Sequence, residues 1–134
     1  MISEKVQLIS DDINGHWMPP KHYDLCDWAE THLSISSDSA DAGIFRALPF
    51  QREILDMMTN PRVETVIVRK SARIGYTTMC TFLVGYHIAQ QPAPIMFVQP
   101  TITDAQSFSK NEFTNCVQDN DILRQVFDDM PKNT

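Results

Sequence analysis

Apolar positions along the chain follow two kinds of spacing, and the switches between them predict its order of elements. From Tyr23 to Leu33, the residues Leu25, Trp28, Ala29, His32 and Leu33 recur at helical intervals, with Asp24 placed as an N-cap. Leu48-Pro49-Phe50-Gln51 opens a second helical stretch. There Pro49 suits a first turn, Phe50, Ile54 and Met57 or Met58 share a face, and Asn60-Pro61 stops the helix. Val63 to Val68 is different: short, β-branched and nearly continuous, as expected of a strand buried on both faces. After a polar turn the chain restarts as a helix that is apolar almost all round, with Met79, Cys80, Phe82, Leu83, Val84, Tyr86 and Ile88. Such a helix is covered on most sides. Gln90-Gln91-Pro92 ends it, and Pro94 to Gln99 reads as a second buried strand. Strand, helix and strand together predict a βαβ unit with parallel strands and a right-handed crossover.

Two amphipathic helices complete the pattern. The first opens on the capping-box spacing Thr103-x-x-Gln106 and turns Ala105, Phe108, Phe113, Cys116 and Val117 to one side. The second runs from Asp119 to Phe127 with Ile122, Leu123, Val126 and Phe127 inward. Met1 to Lys21 has little periodicity and closes on Pro19-Pro20, so residues 1–22 read as a flexible arm and 23–134 as one α/β unit. Ser34 to Gly43, rich in Ser, Asp and Ala, reads as an exposed loop, and Met130 to Thr134 as a fraying end. Trp28 is expected to anchor the core rather than bind a ligand.

Composition narrows the function classes. The 134 residues carry a net charge of −6, and no dense Lys/Arg run is present, which argues against a chain-wide electrostatic grip on nucleic acid. Cys26, Cys80 and Cys116 are odd in number and widely spaced, neither a disulfide framework nor a zinc pattern. Reduced thiols in a soluble intracellular protein are the expectation. His16, His22 and Cys26 do not have a recognised metal-ligand spacing. Nothing resembles a secretory signal, and no window approaches the roughly 20 apolar residues of a membrane span.

The chemistry concentrates where the first predicted strand breaks into the apolar helix. A strand that turns and restarts as a helix aims the free N–H groups of the first helical turn outward, toward an anion. Aligned on its second glycine, the turn half-matches the phosphate-loop pattern G-x-x-x-x-G-K-[ST]. Gly75 and Thr77 fit, while Lys70 stands at the first glycine and Tyr76 at the lysine. The mechanism tolerates these exchanges. Gly75 can supply the special backbone conformation, Thr77 sits where a magnesium hydroxyl belongs, Lys70 is long enough to fold back, and Arg73 adds a second cation. The alternative is a plain strand-turn-helix with two surface cations.

With the loop read, the stretches LPFQREILDMMTNPRVETVIVRKSARIGYTTM and GYHIAQQPAPIMFVQPTITDAQSFSKNEF resemble the large terminase subunit of tailed bacteriophages, in its lambda-type branch. The likeness runs from about Tyr23 to Phe127. It rests on three features in order: the aromatic-Gln pair Phe50-Gln51, the loop K-S-A-R-I-G-Y-T, and V-Q-P-T after the second strand. A helicase-like P-loop protein shares the aromatic-Gln pair and the loop layout, but the K-S-A-R-I-G-Y-T form and V-Q-P-T favour terminase.

The resemblance implies part of an ATP-driven motor that packages viral double-stranded DNA into procapsids. It would work in the bacterial host cytoplasm, without a membrane, alongside a small terminase subunit and a portal protein. The implied fold is a P-loop NTPase. The implied cofactors are ATP and Mg. By the same resemblance Phe50 stacks on adenine, Gln51 reaches the base edge, and Lys70, Ser71, Ala72, Arg73, Ile74, Gly75, Tyr76, Thr77 and Thr78 form the phosphate loop. Lys70 is expected on the β/γ-phosphates, Thr77 on magnesium, and Arg73 in charge neutralisation. Gln99, Pro100 and Thr101 match a motif near the nucleotide. Many relatives carry Gly-Lys-Thr where this chain has Gly75-Tyr76-Thr77. Hydrolysis in this class also uses a strand ending in Asp-Glu, the Walker B strand. Asp128-Asp129 follows residues too polar for a central strand, so the expectation is a partial P-loop fold truncated before Walker B, and without nuclease carboxylates.

Overall fold

A computed structural model describes residues 22–35 and 42–129. The expected arm over residues 1–22, apart from His22, and the expected fraying end lie outside the described residues. Trp28, Tyr86 and Leu123 meet at the centre, each from a different helix. Helix α1, Leu25–His32, buries Leu25, Cys26, Trp28 and Ala29, the stripe that the spacing predicts. Asp24 is the N-cap residue by position, but its side chain makes no capping bond; its carbonyl accepts from the Trp28 N–H at 2.9 Å.

Leu33 then leads into a two-residue strand β1, Ser34–Ile35, antiparallel to β2, Gly43–Ile44, with Ser34 opposite Ile44 and Ile35 opposite Gly43. The ends of the expected exposed loop are therefore a short ladder. Asn120 explains why it holds. This buried side chain accepts from the Ser34 N–H through Oδ1 at 2.6 Å and donates through Nδ2 to the carbonyls of Cys116 at 2.7 Å and Ser34 at 3.4 Å. Removing it leaves buried backbone groups unpaired, at about 1–3 kcal/mol. Asn120→Ala should lower stability by about 2 kcal/mol in urea unfolding. An unchanged midpoint would show that the ladder stands without it.

Helix α2, Pro49–Thr59, starts on its proline and stops at Asn60, as expected. Its buried stripe is rotated from the predicted one. Leu55 is fully buried, Ile54 and Met58 pack beside it, and Phe50 and Met57 face out at 43% and 41% exposure. Arg52 ties α2 to α1, reaching Asp27 at 2.9 Å and Glu30 at 2.7 Å, while Glu30 also accepts from the Ala47 N–H at 2.9 Å.

Helix α3, Tyr76–Ala89, is the axis of the fold. It packs against α1, α2 and the C-terminal helices, which is why its sequence is apolar all round. Phe45 meets Phe82 edge-on at 4.9 Å, and the Tyr86 hydroxyl donates to the Tyr23 carbonyl at 2.8 Å. Gly85 lets the neighbours close in: a Cβ there would lie 3.2 Å from Leu123 and 3.7 Å from Trp28.

The C-terminal third begins with α4, Ile102–Ser107, passes through a π-helical turn, Phe108–Phe113, and continues as α5, Thr114–Asp119. The cap is two residues earlier than expected. Thr101 accepts from the Asp104 N–H at 3.1 Å and donates to the Asp104 carboxylate at 2.7 Å. Helix α6, Asp121–Asp129, seats Leu123 in the core and ends on Asp128-Asp129, which are helical and exposed.

The predicted βαβ strands are the main correction. Residues 63–68 and 94–99 flank α3 but form no ladder, and among the described residues β1 and β2 make the only sheet. A strand buried on both faces needs a layer packed on each face and hydrogen-bonded neighbours at its edges, and among the described residues these segments have no ladder partner. Their side chains remain open, with Ile67, Met96 and Val98 at 89%, 87% and 78% exposure. Among the described residues the architecture is mixed helix with a small two-stranded sheet.

Candidate phosphate loop

The turn between residue 69 and α3 has unusual backbone. Gly75, the N-cap of α3, is left-handed at φ 77° and ψ 19°. Arg73 is also left-handed at φ 61°, a conformation that costs a non-glycine residue energy. Two left-handed residues flanking Ile74 fold the turn back on itself, so that Lys70 returns to the start of α3. Its Nζ lies 5.4 Å from the centre of the Tyr76 ring. Ser71, Ala72, Arg73 and Gly75 are exposed and Ile74 is half-buried. The N–H groups of Tyr76, Thr77 and Thr78 lie in the first turn of α3, which has no acceptor for them within the helix. Neither Lys70 nor Arg73 forms an ion pair with another described residue.

Gln51 holds the loop from the side. Its Oε1 accepts from the Leu48 N–H at 2.9 Å, and its Nε2 donates to the Ile74 carbonyl at 2.9 Å. A Cβ on Gly75 would lie 3.0 Å from that same Nε2, so the glycine is needed for its dihedral and for this contact. Gln51 thus joins the start of α2 to the start of α3. The resemblance implies a base-edge role for Gln51, and nothing in the spacing reveals the clamp. Phe50, next to it, keeps an exposed ring. Thr77 is exposed and Thr78 half-buried at the head of α3, and the Thr77 carbonyl accepts from the Thr81 hydroxyl at 2.9 Å. Gln99 is half-buried and Pro100 exposed; together with the cap Thr101 they lead into α4.

The three cysteines are free thiols. Burial pushes Cys26 and Cys116 up to about 11. Cys80, half-buried one turn after Tyr76, is also raised by burial, against the opposing influence of Tyr76 and Lys70. Burial likewise raises the Tyr76 phenol. Both groups are neutral around pH 7, so the positive charge of Lys70 meets an aromatic face and a thiol rather than an anion.

Fitted to an anion, the arrangement offers backbone N–H groups at a helix start, two cations with no ion pair to another described residue and a hydroxyl at Thr77. This donor set suits a phosphate chain with a hard divalent cation. Among the described residues no group of three or more His, Cys, Asp or Glu side chains could hold a metal by itself, and no helix is long and apolar enough to cross a membrane.

Comparison with known proteins places the loop within a matched domain. The family model described as phage terminase large subunit gpA, ATPase domain, matches residues 39–133. The chain is 33% identical over 93 residues to the terminase large subunit of Enterobacteria phage P21, covering 69% of this chain and 14% of that protein. It is 31% identical over 101 residues to the terminase large subunit of Escherichia phage lambda, covering 75% of this chain and 16% of that one. The chain therefore spans about one-sixth or less of the length of these relatives. No solved structure matches. The matched range takes in α2, the loop, α3 and the C-terminal helices, and on that evidence the chain belongs to the family of the phage terminase large subunit ATPase domain.

Proposed function

We propose that this chain is a nucleotide-binding N-terminal portion of the large terminase subunit, the ATP-driven motor that moves viral DNA into procapsids. The observation that carries the reading is the loop itself: Gly75 left-handed at the head of α3, with Lys70 folded back over that helix's first residue. Lys70 binds the β/γ-phosphates, the N–H groups of Ser71 to Thr78 cradle them, and Thr77 contacts magnesium. Arg73 neutralises charge, and the exposed Phe50 ring stacks on adenine. Gln51 acts first as the loop's clamp, since both ends of its amide are already engaged. Magnesium supplies charge neutralisation between the phosphates when bound.

Efficient turnover calls for an additional carboxylate pair that orients magnesium and water. The helical Asp128-Asp129 do not occupy such a place, so among the described residues they do not supply that pair. The extended segments at 63–68 and 94–99 would enter a parallel sheet with strands contributed from elsewhere, giving the P-loop fold. The small terminase subunit, the portal protein and double-stranded DNA are the partners of this reading, in the host cytoplasm.

A second reading takes the chain as an interaction module for terminase or portal subunits that uses no nucleotide. The exposed apolar positions Ile67, Met96 and Val98 favour it. The acidic Ser34 to Gly43 stretch and the N-terminal helix α1 are its candidate surfaces, and of α1 only the face away from Leu25, Cys26, Trp28 and Ala29 is free to serve.

Titration with Mg-ATP by calorimetry separates the two. Saturable binding is expected, with at least a tenfold loss in Lys70→Ala. A cooperatively melting protein that takes up no Mg-ATP would overturn the nucleotide reading in favour of the module.

A further inference from the structure

The position where most phosphate loops of this pattern carry lysine holds Tyr76, and a phenol ring brings no cation to the phosphates. The cation comes from Lys70, six positions earlier. A lysine at the open end of an exposed loop samples many rotamers, and ordering it on binding costs affinity. This structure places its Nζ 5.4 Å from the centroid of the Tyr76 ring, within the range of a cation–π contact. The ring is itself held in place: Tyr76 is half-buried against the core and its hydroxyl interacts with Cys80, one helical turn on.

We propose that Tyr76 is the positioning residue for Lys70. Its ring seats the ammonium group above the first turn of α3, where the phosphates of a bound nucleotide meet it. The inference rests on the nucleotide reading above. A neutral aromatic face suits this task better than a carboxylate would. It restrains the ammonium without an ion pair that the incoming phosphates must break, and it leaves the charge free to be shared with them. The tyrosine at the pattern's lysine position is thereby paired with the lysine at position 70. Arg73, the other loop cation, has no ring contact among the described residues and does not share the seat.

The test uses the whole chain with 13C-labelled lysine. The Lys70 signal is identified by its loss in Lys70→Arg, and Mg-ATP binding is followed by calorimetry. The wild type should show the Lys70 ε-protons shifted upfield by the ring, with a nuclear Overhauser contact to the Tyr76 ring protons. Tyr76→Phe keeps the ring and should keep both the shift and the affinity within about twofold. Tyr76→Leu keeps apolar volume but has no π face. It should return Lys70 to the position of an exposed lysine and weaken Mg-ATP binding by about fivefold. Absence of the Lys70–Tyr76 contact in the wild type overturns the proposal, whatever the variants do. So does Tyr76→Leu binding Mg-ATP as tightly as wild type while Lys70→Ala does not, and in that case the nucleotide reading still stands. No Mg-ATP binding by the wild type overturns both.

Discussion

Trp28→Ala should bring the folded chain close to its unfolding limit at 25 °C. The indole is fully buried, edge-on to Tyr86 at 5.6 Å and tilted against His32 at 6.0 Å, in the space that Gly85 leaves open. Truncating a core tryptophan to alanine costs about 3–5 kcal/mol, while small domains hold only about 5–15 kcal/mol in total. The margin here is narrowed further by the exposed apolar side chains of the two extended segments. Trp28 has a second peculiarity: its Nε1–H is buried and has no hydrogen-bond partner among the described residues. Trp28→Phe removes that donor together with some volume, so its cost should fall well below that of alanine, at about 1–2 kcal/mol. Urea unfolding followed by circular dichroism measures both. A loss below about 1 kcal/mol in Trp28→Ala would mean that α1 is not part of the cooperative core.

Helices were readable from this sequence where one face is apolar and the ends carry stop signals. α1 and α2 lie where the spacing places them: the apolar stripe Leu25, Trp28, Ala29 sets α1, and Pro49 and Asn60 bound α2 locally. Faces were less legible than ends. Phe50 looked like an inward residue of α2, yet the helix is rotated so that Leu55 takes the centre, a choice made by packing against α1 and α3. The cap of α4 shifted to Thr101 because Asp104 answers it with both its N–H and its carboxylate. The strands illustrate the limit most directly. Val63 to Val68 and Pro94 to Gln99 have strand composition, but a ladder is a property of two segments, and pattern within one segment does not supply its partner.

The loop's residue types were legible, and its geometry only in part. Gly75 announced a special backbone position, and it is left-handed as that reading requires. Arg73 gave no such sign, since arginine has no preference for positive φ, and only the fold shows it there. The return of Lys70 to the helix start was anticipated from side-chain length; the seat on Tyr76 was not, because a contact across six residues of irregular backbone has no periodicity to betray it. Asn120 escaped notice for a related reason. Its value lies in bonds to Ser34, 86 residues away, and to Cys116, and an isolated asparagine between two helices looks like any other helix break.

Gly75→Val should dismantle the candidate phosphate loop while leaving the helical core intact. Two effects add. A β-branched residue at φ 77° is strained, by roughly 1–2 kcal/mol or more. Its Cβ would also lie 3.0 Å from Gln51 Nε2, the atom that donates to the Ile74 carbonyl. That amide is the far end of a flexible side chain, so it will swing away, and the clamp between α2 and α3 is lost with it at about 1 kcal/mol. The expected total is about 3 kcal/mol of stability and, on the proposed nucleotide reading, a loss of at least tenfold in Mg-ATP affinity as Lys70 and the N–H groups of the first turn lose their common geometry. Gly75→Asn separates the two effects, because asparagine tolerates left-handed backbone but still crowds the amide. It should recover about half of the stability. Combining Gly75→Ala with Gln51→Ala should cost less than the sum of the single changes, since the clamp can be lost only once. Strict additivity in that cycle would mean that Gln51 and Gly75 are not coupled, and that the loop keeps its shape without the contact between α2 and α3.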